Sequence, residues 1–150
     1  MSRPTTDDAL LALARLAMDA SVRAAGELGG ISPVQLRALT ALRARGRLNL
    51  AQLAAEMGIT VSTASRLVDR LAGAECVRRT PSTRDRREIS LTLTASGTTL
   101  LRRFDDRRVA HLRSCLDRVP AERRDDVVTA LAELAVPAPR TFSGSDADWR

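Results

Sequence analysis

The chain contains no lysine, no tyrosine, one histidine and three aromatic residues in 150 positions. Two of the aromatics, Phe142 and Trp149, fall in the last nine residues, which leaves Phe104 as the only ring elsewhere. Single-strand nucleic-acid binders such as RNA-recognition sheets and OB-folds stack bases on aromatic platforms. Those classes are set aside, and the core has to be built from Leu, Val and Ala. His111, Cys76 and Cys115 are the only soft metal ligands, too few for a zinc finger. No nucleophile–base pair or histidine–carboxylate constellation is visible, so the chain does not read as an enzyme, and neither a cofactor nor a metal is expected. Two cysteines 39 residues apart without a signal peptide point to a reducing cytosol. The longest apolar runs, such as residues 9–14, fall far short of the ~20 residues of a membrane span. The expected setting is cytoplasmic, with no membrane partner.

Against these absences stand a 44% apolar content and eight glycines, a globular composition. A chain of this length forms one ordinary domain and buries roughly 70% of its unfolded surface. All 24 basic residues are arginine, against 18 acidic ones, for a net charge of +6. The missing lysines, together with the abundance of Ala and Leu, read as a GC-rich coding bias rather than a selected arginine chemistry. Position is more informative than composition. Residues 33–90 hold eleven arginines and five acidic residues, net +6, whereas 1–32 carry −1, 91–136 carry +1 and 137–150 carry none. A basic zone between near-neutral helical flanks is the footprint of a polyanion-binding module.

Along the chain, residues 7–25 show Leu10, Leu13, Leu16 and Met18 at helical spacing, with Asp7 and Asp8 at the positive end of the macrodipole. Ser32, Pro33 and Gln35 form a capping box that opens a second helix, stopped at Gly46. After an extended link at 48–50, Leu53, Ala54 and Met57 line a third helix of about two turns that Gly58 ends. Thr60 then caps a fourth, with Ala64, Leu67, Val68 and Leu71 as its buried stripe and Ser62, Thr63, Ser65, Arg66, Asp69 and Arg70 on the other side. Two short helices around a glycine turn, the second with a small, polar, arginine-bearing face, predict a helix-turn-helix. Residues 76–79, a turn-rich 80–85 and the alternating Ile89, Leu91 and Leu93 predict a β-hairpin with an arginine-loaded loop, a wing. A long helix to about Arg118 and a last helix opened by Pro120 complete the fold, and the Pro, Ser, Gly and Asp mixture of 137–150 reads as a mobile tail.

Leu53-Ala54, Met57-Gly58-Ile59, Ser62, the run from Ser65 to Leu71, Val77-Arg78-Arg79, Asp85-Arg86-Arg87, and Leu93-Thr94 with Gly97 stand in an order that resembles the MarR family of bacterial transcriptional regulators over nearly the whole chain. The resemblance implies a mainly α, winged helix-turn-helix protein with a small β-hairpin. It implies dimerisation through the helix in 1–32 and those in 95–136, a DNA-binding lobe at 33–94, and response to small aromatic or phenolic ligands or to oxidants. A ligand cleft would lie near the first, second and fifth helices. One position departs from the family pattern: Glu75 stands where glycine is usual, which implies a differently shaped end to the fourth helix.

Arg66, with Ser62, Thr63 and Ser65, is the candidate reader of base edges, since arginine binds guanine bidentately and small hydroxyl residues allow close approach to the groove floor. The competing reading is a solvated polar face. Arg70 and Arg37, and behind them Arg43, Arg45 and Arg47, are candidate phosphate contacts. Arg84, Arg86 and Arg87 sit where a wing approaches the minor groove, and the family pattern makes Asp85 a brace for Arg87. Cys76 and Cys115 invite an oxidant-sensing alternative, but the default for both is a buried small hydrophobe. His111 and Cys115, at i and i+4, are two ligands where a metal site needs more. The reading is a homodimeric repressor on a pseudo-palindromic double-stranded DNA operator, released by a small-molecule effector and nucleoid-associated when bound. A winged-helix module that docks an acidic protein is the alternative from another class.

Overall fold

Thr5, Ser32, Asn49 and Thr60 each stand one residue ahead of a helix, and the side chain of each accepts a hydrogen bond from the backbone N–H three residues on. At the first three, the side chain of the third helical residue accepts a bond in return from the cap backbone N–H, closing a capping box. These caps set the starts of α1 (Thr6–Glu27), α2 (Pro33–Arg45), α3 (Leu50–Met57) and α4 (Val61–Gly73) in the computed structural model, which describes residues 4–81 and 89–135. Glycines end two of them: Gly46 with φ 72° after α2, and Gly58 in the left-handed conformation after α3. The remaining elements are β1 (Leu48–Asn49), β2 (Val77–Pro81), β3 (Ile89–Leu93), α5 (Ala95–Leu116) and α6 (Ala121–Leu134).

The predicted hairpin is β2 and β3, antiparallel, with Val77 opposite Leu93 and Pro81 opposite Ile89. The expected extended link at 48–50 is more than a link. Its first two residues form β1, which pairs antiparallel with β3, Leu48 opposite Leu91, so the sheet has three strands in the order β1-β3-β2. Two residues carry no periodicity, and only the tertiary pairing reveals them as a strand. Mainly helical with a small antiparallel sheet, the chain has the winged-helix fold.

The core is aliphatic. Leu39, Leu42, Leu53, Val68, Leu71, Leu91 and Leu101 are fully enclosed, joined by Met57, Val77 and the one phenyl ring among the described residues, Phe104. Burying each of these leucines is worth about 1.5–3 kcal/mol, which is what holds α2, α3, α4 and the sheet together. By contrast α1 buries only Ala20 and Ala24, and α6 buries no residue. Leu10, Leu11, Met18 and Val22 on α1, and Val128, Leu131 and Leu134 on α6, are 42–66% exposed. The chain divides between Arg113 and Ser114 into two compact units. In the second, Arg124 fastens the start of α6 by donating to the carbonyls of Val119 (2.9 Å) and Asp117 (2.7 Å). Among the described residues no helix is long and apolar enough to cross a membrane. The expected tail at 137–150 lies outside the described residues.

Candidate nucleic-acid interface

The site is set by the corner between α3 and α4. Gly58 turns the chain in the left-handed region, Ile59 packs against the core, and Thr60 starts α4. Ala64, Leu67, Val68 and Leu71 then anchor one side of α4 in the core. The opposite side carries Ser62, Thr63, Arg66, Asp69 and Arg70, with Ser65 at its edge. Of these, Ser62, Thr63, Arg66, Asp69 and Arg70 are exposed, and Ser65 is half-buried at the margin of the buried stripe. The hydroxyls of Ser62 and Thr63 are not idle. Each hydrogen-bonds the Thr60 hydroxyl, at 3.1 and 2.9 Å, so the first turn is internally tied. Arg66 and Arg70 form no ion pair among the described residues, which leaves two guanidinium groups on the outer side of a firmly seated helix.

The other arginines sort into two kinds. Arg43 is held by Asp105 at 2.6 Å and Arg45 by Glu56 at 3.0 Å, so two of the reserve phosphate contacts are already occupied by carboxylates of this chain. Arg37, Arg47 and Arg78 are exposed and enter no ion pair among the described residues. Arg79 donates to Asp69 at 2.6 Å, tying β2 to the outer side of α4. That brace between helix and wing base is invisible to sequence reading, because ten residues separate its partners and no local pattern pairs them. Arg84, Asp85, Arg86 and Arg87 belong to 82–88, which lies outside the described residues.

The end of α4 corrects an expectation. The Glu75 departure does not reshape the helix terminus. Glu75 itself takes φ 56°, its N–H donates to Ala72 O, and the Cys76 N–H donates to Leu71 O, both at 2.9 Å. This is a Schellman motif with glutamate in the left-handed position usually filled by glycine, sealed by the buried Cys76 and Leu71. Thr94 locks α5 onto that corner: its hydroxyl donates to Glu75 O, its N–H donates to Cys76 O, and the hydroxyl accepts from Gly97 N–H. A Cβ on Gly97 would collide with Cys76 O. The Thr94-x-x-Gly97 spacing is thus a helix cap combined with a backbone close approach.

Cys76 is buried and burial raises its thiol pKa, the reverse of what an oxidant-reactive cysteine needs. Both cysteines are free. His111 turns to α1, its Nε2 2.8 Å from Glu27 Oε1, where Arg107 joins at 3.3 Å. Among the described residues no group of three or more His, Cys, Asp or Glu could hold a metal. A cleft of about 640 Å³ opens between the loop joining α1 to α2, the C-terminal end of α4 and the first turns of α5.

A sequence profile described as the MarR family matches residues 31–89, the stretch from the start of α2 to the start of β3. RV1404 from Mycobacterium tuberculosis is 31% identical in a structural superposition that covers 89% of this chain and 94% of that one, with a TM-score of 0.75. The HTH-type transcriptional repressor MdtR of Bacillus subtilis is 37% identical over 71 residues, 47% of this chain. That match spans only 46% of MdtR's own length. MepR of S. aureus, as a point mutant bound to an oligodeoxyribonucleotide, shares the fold with a TM-score of 0.71, at 19% identity over 88% of this chain and 96% of that one. The profile match falls on the helix-turn-helix and runs to the start of β3, and the likeness to RV1404 runs through the flanking helices as well: the chain belongs to the MarR family.

Proposed function

We propose that this chain is a sequence-specific double-stranded DNA-binding transcriptional regulator, a repressor that acts as a homodimer on a pseudo-palindromic operator and is released by a small-molecule effector. The observation that carries the reading is the outer side of α4, where Arg66 and Arg70 stand free of described ion pairs beside Ser62, Thr63 and Ser65. A helix anchored on one side and arginine-bearing on the other fits the major groove, with Arg66 reading guanine and Arg70 reaching phosphate. Arg37, Arg47 and Arg78 extend the phosphate-binding surface. Arg84, Arg86 and Arg87, outside the described residues, are assigned to the minor groove, with Asp85 as the brace. MepR was solved with DNA and MdtR is named a repressor, which supports the same roles here.

The dimer rests on the apolar residues left exposed on α1 and on α6, the kind of surface that a partner covers. Packing them across a two-fold axis sets two α4 helices about one DNA turn apart, ~34 Å, and so requires a two-fold operator. The cleft beside α4 supports the effector. The test is a gel shift on DNA from upstream of the chain's own gene against a scrambled duplex, at increasing salt. Preferential, salt-sensitive retention of the upstream DNA supports the proposal. Retention that ignores sequence, or none, favours the protein-docking module instead.

A further inference from the structure

We infer that the cleft between the α1–α2 loop, the end of α4 and the start of α5 takes an aliphatic carboxylate rather than an aromatic acid. The inference takes its regulatory meaning from the effector proposed above. The floor is aliphatic, from Leu28, Ile31, Leu71 and Leu100, and no aromatic ring among the described residues lines it. An aromatic ligand gains its extra attraction from stacked or edge-on rings, which this lining cannot offer. An alkyl chain gains from buried area alone, and branched aliphatic walls supply that as well as any others.

Charge selects the head group. Among the described residues Arg103 is the only charged one lining the cleft, and no carboxylate lines it. Arg103 is exposed and enters no ion pair among the described residues, although Arg107 and Arg108 on the same helix are paired, with Glu27 and Asp105. One guanidinium without a counter-charge at the rim of an apolar floor matches one carboxylate at the end of an alkyl chain, held by the bidentate geometry that arginine favours. Gln35 and Thr99 add neutral polar groups. The volume, about 640 Å³, lies in the range of small-molecule sites. An occupant touches Leu71 and Ala74, the last turn of α4 and its cap, so binding bears directly on the base-reading helix.

Calorimetric titration of the whole chain with octanoate, octan-1-ol and benzoate separates head group from tail. Octanoate is expected to bind at least about tenfold more tightly than octan-1-ol, the worth of a charge-assisted hydrogen bond, and more tightly than benzoate, which shares the carboxylate but buries less aliphatic area. Arg103→Gln brings octanoate to the octanol level and leaves octanol unchanged, Arg103→Lys restores part of the preference, and the thermal midpoints of both variants match the parent. Benzoate binding as tightly as octanoate overturns the inference. So does an octanoate affinity indifferent to Arg103→Gln, which is nonspecific uptake of an amphiphile. If nothing binds and Arg103→Gln instead changes the sedimentation coefficient, a second copy of the chain fills the cleft and the inference falls. Operator titration of the ligand-free protein, run in parallel, tests the regulator reading by itself: octanoate binding without operator binding removes the regulatory role and leaves the cleft chemistry standing.

Discussion

At the scale of single residues, what distinguishes the arginines is whether a carboxylate already holds them. Arg43 and Arg45 are held, whereas Arg66 stands without a described ion pair. Arg66→Ala is therefore expected to weaken specific DNA binding by about 1–3 kcal/mol while leaving binding to random duplex nearly unchanged, which anisotropy titrations on both DNAs resolve. An equal loss on both would make it a phosphate contact. Glu75 holds the left-handed conformation at a cost that glycine avoids. Glu75→Gly should raise the urea midpoint by the equivalent of about 0.5–1 kcal/mol, the relieved strain less the added chain entropy of the unfolded state. For Cys76, burial holds the thiol protonated through neutral pH. Alkylation of the native protein should be slow at neutrality and still climb about tenfold per pH unit beyond the ordinary thiol range. The sign of the linkage is that a raised pKa favours the protonated fold, so stability is kept at neutral pH and lost as the pH rises past that range. A Cys76 that alkylates rapidly at pH 7 would revive the oxidant-sensing reading.

Among the elements, the ends of the helices are the most legible in sequence. Ser32 with Gln35, Gly46, Gly58 and Thr60 act by local hydrogen bonds and backbone conformation, and each stands where the pattern puts it. At α1 the sequence draws attention to Asp7 and Asp8, yet Thr5 is the cap and Asp8 completes its box, which lowers the Asp8 pKa. The face of α4 follows from its four-residue buried stripe. What is not legible depends on contacts distant in sequence: β1 pairing with β3, Asp69 gripping Arg79, and the corner at Glu75, Thr94 and Gly97. The last of these carries a sharp prediction. Gly97→Ala drives a methyl into the Cys76 carbonyl, a backbone group that cannot swing aside as a side chain would. The cost is expected to be about 1–3 kcal/mol in urea denaturation, more if α5 cannot shift. An unchanged midpoint would mean that the corner between α4 and α5 is not rigid.

For the whole molecule, the distribution of burial divides the work. The lobe from α2 to β3 holds most of the core leucines, closed by Leu101 and Phe104 of α5 and Ala24 of α1, and carries the basic excess, whereas Leu10, Leu11, Met18 and Val22 of α1 and Val128, Leu131 and Leu134 of α6 stay exposed. The order of charges along the sequence locates the excess in 33–90, and the fold gives that zone α4, a helix anchored on one side with Arg66 and Arg70 exposed on the other. The central claim is that this helix reads duplex sequence, and the most direct measurement is an anisotropy titration of the intact chain against its upstream DNA and a scrambled duplex of equal length, repeated over a range of salt. The account predicts a specific affinity at least about 10³-fold above the scrambled one at physiological salt, with log K falling linearly in log salt as counterions are released. Equal affinity for the two duplexes at every salt concentration would contradict it.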